Sequence, residues 1–567
     1  MKKKKLLLVS SVLMMSFLAS CNGTTPNENI ITNDDLAKGV TTYKDKNGAE
    51  KQLNRNTLYT NAGTPHVESH PTNGKKQKLL VAPIKFTKDP TDDKDTINAD
   101  DALYENIRLA FNGTKEEMAG KGFTSVSEFY EESSYGKGAF DAVLLPSWVD
   151  LGMTAKEFRE KSGGNGGVYA SNLVRDWYIK EYDKANHGSL GADAEPITYF
   201  DSDNDGFIDL MWNVYAYPYD NNTSSDNMFW WAYVTYTGNK PNKAAPTVQT
   251  LGWASTNFMK SSCDPHTFIH ETGHTLGLDD YYDYNKTWKP MASVDYMDQN
   301  LGDHNSFSKF QYGWVNPWVI KEEDLIGDKT AEITLRDATT TGDCLVLASP
   351  NYNMTAFDEY FMVELVGPYG LAKSDYLNGY EGATGFTAPG VRVLHVDARA
   401  QGSAGPSADR LTREFLTADD VGQNAKDLRI GNSYLGRQGL TIDGDFYPIK
   451  NGNSVIKRSF SEVSMMMSSG WTSGNSWMNS TSYNAKNDAL FTTNHTFTLT
   501  GENNALAKEF MPSQSNLWNK SKVVKSGNGE NQKYTIDESI TCNFKMRVGK
   551  IETTDTGAKV TLKITLA

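Results

Sequence analysis

Apolar and polar positions follow two different rhythms along this chain, and the change falls near Glu322. Before it, helical and strand periods mix. A short run of Leu, Val, Ile and Phe, Leu79–Phe86, predicts the first strand after a long polar stretch. Asp101–Phe111 carries apolar residues at helical spacing. Ser125-Val126-Ser127-Glu128 reads as a capping box opening a helix that stops near Gly136. Thr154-Ala155-Lys156-Glu157 repeats the signature ahead of Gly163-Gly164. Leu173, Val174, Trp177, Tyr178 and Tyr182 recur at steps of three and four across Val168–Tyr182, which predicts a packed helix. Phe207–Tyr217 and Phe229–Tyr236 predict strands.

Beyond Glu322 the runs shorten and turn residues separate them. Ala331–Leu335, Cys344–Ala348, Tyr360–Val366 and Val391–Val396 are β-type. Lys559–Leu566 alternates, with Val560, Leu562, Ile564 and Leu566 on one face. The expected fold class is α+β: a domain of mixed helices and strands over residues 77–322, then a β-sandwich-type region over 323–567. The stretch 400–485, with its Met465-Met466-Met467 run, is an insertion without an assigned place.

The N-terminus reads as an address. Lys2–Lys5 precede the apolar Leu6–Leu18, too short to span a bilayer as a mature helix but suited to a signal peptide. Leu18-Ala19-Ser20-Cys21 resembles the bacterial lipobox, so residues 1–20 are expected to be a lipoprotein signal peptide with lipidation on Cys21. Two acyl chains suffice for stable anchoring at the extracellular face of the bacterial cell membrane. Residues 21–76, rich in Asn, Thr, Lys and Gly, read as a tether or short pro-segment.

Composition narrows the partners. The net charge of −14 argues against nucleic acid. Four cysteines in 567 residues cannot form a disulfide framework, and buried free thiols are the default reading of Cys263, Cys344 and Cys542.

The chemistry concentrates in His270-Glu271-Thr272-Gly273-His274-Thr275-Leu276-Gly277-Leu278-Asp279-Asp280. Histidines at i and i+4 on a helix face one way and can share a zinc ion. Glu271 sits one residue off the ligand row, where it can take a proton instead of binding metal. Gly277 permits a left-handed helix stop, and the returning chain would bring Asp280 in as a third, anionic ligand, with Asp279 as the alternative. His266, four residues before His270, could join the same face.

A second motif is Asp201-Ser202-Asp203-Asn204-Asp205-Gly206-Phe207-Ile208-Asp209. Carboxylates at positions 1, 3 and 5 before a glycine suit calcium, with Asp209 at position 9 and the Phe207 carbonyl as further ligands. The glutamate usual at position 12 is missing, since Trp212 stands there. The expected role is structural.

Taken together, HExxHxxGxxD followed by Asp280-Tyr281-Tyr282-Asp283 resembles the immune inhibitor A-type secreted metallopeptidases of the metzincin clan. Ser127-Glu128-Phe129-Tyr130 leading to Ser133-Ser134-Tyr135-Gly136, and Gly302-Asp303-His304-Asn305 leading to Gly313-Trp314, support the likeness. It implies a zinc endopeptidase hydrolysing proteins or peptides through a zinc-activated water, with Glu271 as general base. It also implies a methionine turn, here Asp295-Tyr296-Met297-Asp298, with Met291 as the runner-up. The chain departs from the commoner clan pattern at Gln299, where a tyrosine is usual, so His304 and Tyr312 become the candidates for oxyanion stabilisation. A monomer is expected. The competing expectation is a surface-anchored binding or adhesion protein whose metal site is vestigial.

Overall fold

The computed structural model describes residues 29–44, 50–52, 76–219, 229, 232–259, 262–276, 278, 281, 291, 294–299, 301–348, 352, 354–356, 359–377, 380, 386–397, 400–402, 428–430, 447–451, 454–458, 462–465, 490–498, 523–526, 533–536 and 544–567. The signal peptide, Cys21, Gly277, Asp279, Asp280, Cys542 and most of residues 400–485 therefore lie outside the described residues.

The first sheet is built from β1 (Lys76–Lys85), β2 (Ala139–Leu144), β3 (Leu210–Tyr215), β4 (Ala232–Tyr236) and β5 (Thr250–Ser255), in the order β4-β5-β3-β1-β2. All neighbours run parallel except β4, which pairs antiparallel with β5 at the edge. A parallel strand covered on both faces reads as an unbroken apolar run, and β1 shows why. Leu79 and Val81 join one core with α1 (Asp101–Asn112), α2 (Val126–Ser133) and the helix that carries His270. Leu80, Ala82 and Ile84 join another with α3 (Gly166–Tyr182). Thr154 caps its helix as the pattern expects, and Asp100, which no pattern marked as a cap, accepts from the Leu103 amide at the start of α1. Ser125 accepts from the Glu128 amide, but no reciprocal bond from the Glu128 carboxylate completes a box.

The strand expected over Phe207–Tyr217 is interrupted at Asp209. Its carboxylate accepts from the backbone amides of Lys78 and Ser202, which pins the residue between the short strand Phe207–Ile208 and β3.

The β-rich half contains β6 (Trp318–Ile320), β7 (Thr330–Arg336), β8 (Cys344–Ala348), β9 (Glu359–Val366), β10 (Gly390–Asp397), β11 (Phe544–Val548) and β12 (Ala558–Leu566). One sheet runs β6-β8-β9-β10, extended by Ala37–Lys38 at one edge and Glu462–Met465 at the other. A second contains β7-β12-β11, with Ile30–Ile31 beside β7 and Thr496–Thr498 beside β11. In β12, Val560, Leu562 and Ile564 are buried while Lys559, Thr561 and Lys563 face solvent, as the alternation predicts. The two sheets meet through β9, β7 and β12.

Two features of sequence position take on a structural meaning. Within the stretch read as a tether, Ile30–Ile31 pairs with Thr330–Ala331, and Ala37–Lys38 pairs with Trp318–Val319. The ammonium of Lys38 sits 3.3 Å from the Trp318 ring centroid. This part of the segment is a component of the β-rich half. A single hydrophobic core also runs from Leu79 and Phe129 through Tyr296 and Phe310 to Tyr360 and Leu562, so the two halves share one interior. Cys263 and Cys344 are free and buried, and burial pushes the Cys263 thiol up to about 12.

Candidate metal centre

The residues His266–Thr275 form a helix, α4, laid across β4 and β5. Three interactions set its rotation. Phe268 packs against Phe111 and Trp212, with centroids 4.7 and 5.2 Å away. The Trp212 indole N–H donates to Thr272 Oγ1 at 3.1 Å. The Tyr130 hydroxyl donates to the Ile269 carbonyl at 2.7 Å. With that face locked, His270, Glu271 and His274 fall together, one metal-ligating atom of each lying within 4.8 Å of the others.

Both imidazoles are oriented by the main chain. His270 Nδ1 lies 2.8 Å from the Tyr296 carbonyl, and His274 Nδ1 lies 2.8 Å from the Leu278 carbonyl. A carbonyl only accepts, so each Nδ1 carries a proton, and in the neutral ring Nε2 keeps its lone pair. That is the tautomer a metal-ligating histidine needs, held by the kind of outer contact that tunes such sites. The rings stand 4.9 Å apart and nearly perpendicular, at 86°. Two imidazoles beside a half-buried carboxylate form a group that could hold a metal ion.

The helix ends at Thr275, with Leu276 as its C-cap. The Leu278 amide reaches back to the Gly273 carbonyl at 3.0 Å, the long bond of a Schellman stop. Three residues on, the Tyr281 amide donates to the Met297 carbonyl at 2.7 Å. Leu278 is thus tied to the helix, and Tyr281 to the turn that holds Met297.

That floor is the turn Asp295–Gln299. Asp295 accepts from the Met297 amide at 2.8 Å and from the Asn305 backbone and side-chain nitrogens at 3.0 and 2.8 Å. Burial raises its carboxyl to about 6. Met297 is fully buried, and its sulfur would stand only 2.6 Å from a Cβ added at Gly273. A glycine inside a helix costs stability; here it lets the methionine pass directly under the two histidines. Met291 is also buried, and its carbonyl accepts from the Val294 amide at 3.0 Å ahead of the turn.

The remaining sequence candidates take other positions. His266 stacks on Tyr380, 4.2 Å away, and is not a member of the three-residue group. The Tyr312 hydroxyl donates to the Leu276 carbonyl from a fully buried position, closing the helix end. His304 packs between Phe129 and Tyr130, and burial with nearby Lys309 pushes it down to about 3, so it is neutral. His304 does not belong to the His–Glu–His group.

In the acidic loop, Asp201, Asp203 and Asp209 bring carboxylate oxygens within 4.8 Å of one another, while Asp205 is not part of that group. The Asp205 carboxylate accepts from the Phe207 amide at 2.8 Å instead. Asp201 accepts from the amides of Asp205 and Gly206, both at 2.9 Å. Burial, with Asp203 adding to it, raises Asp209 to about 6. Phe207 itself begins the short strand paired with Thr247–Val248.

Sequence reasoning missed the groups that aim the histidines. The carbonyls of Tyr296 and Leu278 leave no mark in residue identity, and the Tyr130 bond to Ile269 spans 139 positions. No family model matches the chain, and no curated protein matches it. Among the described residues, no helix is long and apolar enough to cross a membrane.

Proposed function

We propose that this chain is a zinc-dependent endopeptidase of metzincin type that cleaves proteins or peptides outside the cell, anchored by lipid on Cys21. The observation that carries the reading is the paired orientation of His270 and His274, each spending its Nδ1 proton on a carbonyl beside Glu271. A surface helix with solvated histidines has no need of it.

His270 and His274 would hold the ion, with Asp280 as third ligand. When bound, zinc supplies Lewis acidity and lowers the pKa of a water to about 7. Glu271 would accept the proton of the attacking water as the water oxygen bonds to the peptide carbonyl carbon. It then passes the proton to the nitrogen as the C–N bond breaks. Met297 and Asp295 keep the floor beneath His270 rigid. Calcium at Asp201, Asp203 and Asp209 is the proposed second ion, fastening the loop that leads into β3.

The test is proteolysis of an unstructured protein such as casein by the soluble form beginning after Cys21, beside Glu271→Gln. The parent should be active. The variant should keep its zinc and lose about 10²–10⁴ in kcat, the usual worth of a general base. A parent that takes up no zinc overturns the reading and leaves the surface-binding protein as the better account.

A further inference from the structure

Two buried ion pairs lie where the halves meet, Lys309–Asp303 and Arg392–Glu364. The second belongs wholly to the β-rich half, Arg392 on β10 and Glu364 on β9, with Nε to Oε1 at 2.7 Å. Yet the remaining hydrogen bonds of the pair go to the other half. Arg392 Nη1 donates to the Val294 carbonyl at 3.0 Å, one residue before the turn Asp295–Gln299. Glu364 Oε2 accepts from the Ser306 amide at 3.1 Å and its hydroxyl at 2.6 Å, at the start of the helix Ser306–Gln311.

Those two anchor points bracket the floor of the metal centre. Between them, Asp295 binds the Met297 amide and Asn305, and the Tyr296 carbonyl orients His270. A buried ion pair is a poor way to gain stability, because desolvating both charges offsets most of their attraction. What this pair adds is direction. A guanidinium can serve a carboxylate and a carbonyl together from fixed angles, which a lysine ammonium on a flexible stem does not reproduce.

We propose that Arg392 is a positioning residue of the metal centre: with Glu364, it fixes the segment Val294–Ser306 that aims His270. The β-rich half then completes the site, and is not an appended binding module. The inference rests on the zinc reading above.

The experiment measures zinc affinity, by competition with a chelator, in the full soluble chain. Two variants are compared with the parent. Arg392→Lys keeps the charge. Arg392→Met combined with Glu364→Gln removes both charges of the pair at once. Each should remain folded by near-UV circular dichroism and lose about tenfold or more in zinc affinity, with kcat falling and KM little changed. Should Arg392→Lys unfold, the double variant decides. Arg336→Ala is the control, since Arg336 pairs with Asp343 in the same half without touching the floor. Parental zinc affinity in a folded variant overturns the inference, as does an equal loss in Arg336→Ala. A parent that binds no zinc defeats the zinc reading itself; a parent and variants that bind alike defeat only the role of Arg392.

Discussion

The loop Asp201–Asp209 and the helix His266–Thr275 each bring three metal-ligating side chains within 4.8 Å of one another, by opposite routes. In the loop, the carboxylates are placed by their own neighbourhood. Asp201 accepts from amides four and five residues on, Asp205 from one two residues on, and Asp209 from Ser202 seven residues back. The Lys78 amide, which also donates to Asp209, comes from far away. In the helix, local structure does no more than put His270 and His274 on one face. The ring of His270 then takes its orientation from the Tyr296 carbonyl, 26 residues downstream, while that of His274 meets the Leu278 carbonyl only four residues on. A cluster made by local turns should tolerate distant damage, and one made by packing should not.

The hardest blow to the packed cluster is Met297→Ala. Removing a fully buried methionine beneath Gly273 should cost about 2–5 kcal/mol. Urea unfolding would measure the cost, and zinc affinity should fall with it while the response to calcium stays. If both ions are lost together, the two clusters are not independent and the comparison fails.

A milder perturbation addresses the loop. Calcium at a hundred times its dissociation constant should stabilise the chain by about 2.7 kcal/mol, seen as a raised melting temperature. Asp209→Asn should abolish that gain and leave zinc affinity alone. A calcium response that survives the substitution moves the ion elsewhere.

A pH-dependent effect concerns the support behind the metal floor. Asp375 is buried against Gly302, its Oδ1 has no hydrogen-bond partner among the described residues, and burial raises its carboxyl to about 7. The folded state therefore holds the proton more tightly than the unfolded chain, whose carboxyl titrates near 3.9. Its contribution to stability declines as pH rises from about 4 to about 7 and stays low above that. Asp375→Asn should gain up to about 4 kcal/mol at pH 8 and almost nothing at pH 4, by denaturant titration at both. An equal gain at both pH values would show that charge is not the cause.

Much of this protein is legible in its residues because the relevant physics is local. Burial of both faces makes β1 read as one apolar run, and solvent on one face makes β12 alternate. Thr154 and Glu157 announce a helix start because capping partners lie three residues apart. The i, i+4 pair of His270 and His274 and the glycine three residues later mark the helix and its stop for the same reason. The carboxylate spacing of the 201–209 loop belongs in that group, though it enlists Asp205, which the fold uses to hold the Phe207 amide.

Long-range packing settled the remainder. Nothing in the identity of Tyr296 says that its carbonyl will aim an imidazole 26 positions away, because every residue offers the same carbonyl. The polar stretch after Cys21 shows no helical or strand period, yet Ile30–Ile31 and Ala37–Lys38 find edges on two sheets. An edge strand takes its place from the row of hydrogen-bonding groups it meets, more than from its own pattern. Arg392 and Glu364 lie 28 positions apart on neighbouring strands, and 58 or more from the residues they hold. The sequence determined which side chains could do chemistry; the shared core of the two halves decided which of them face one another.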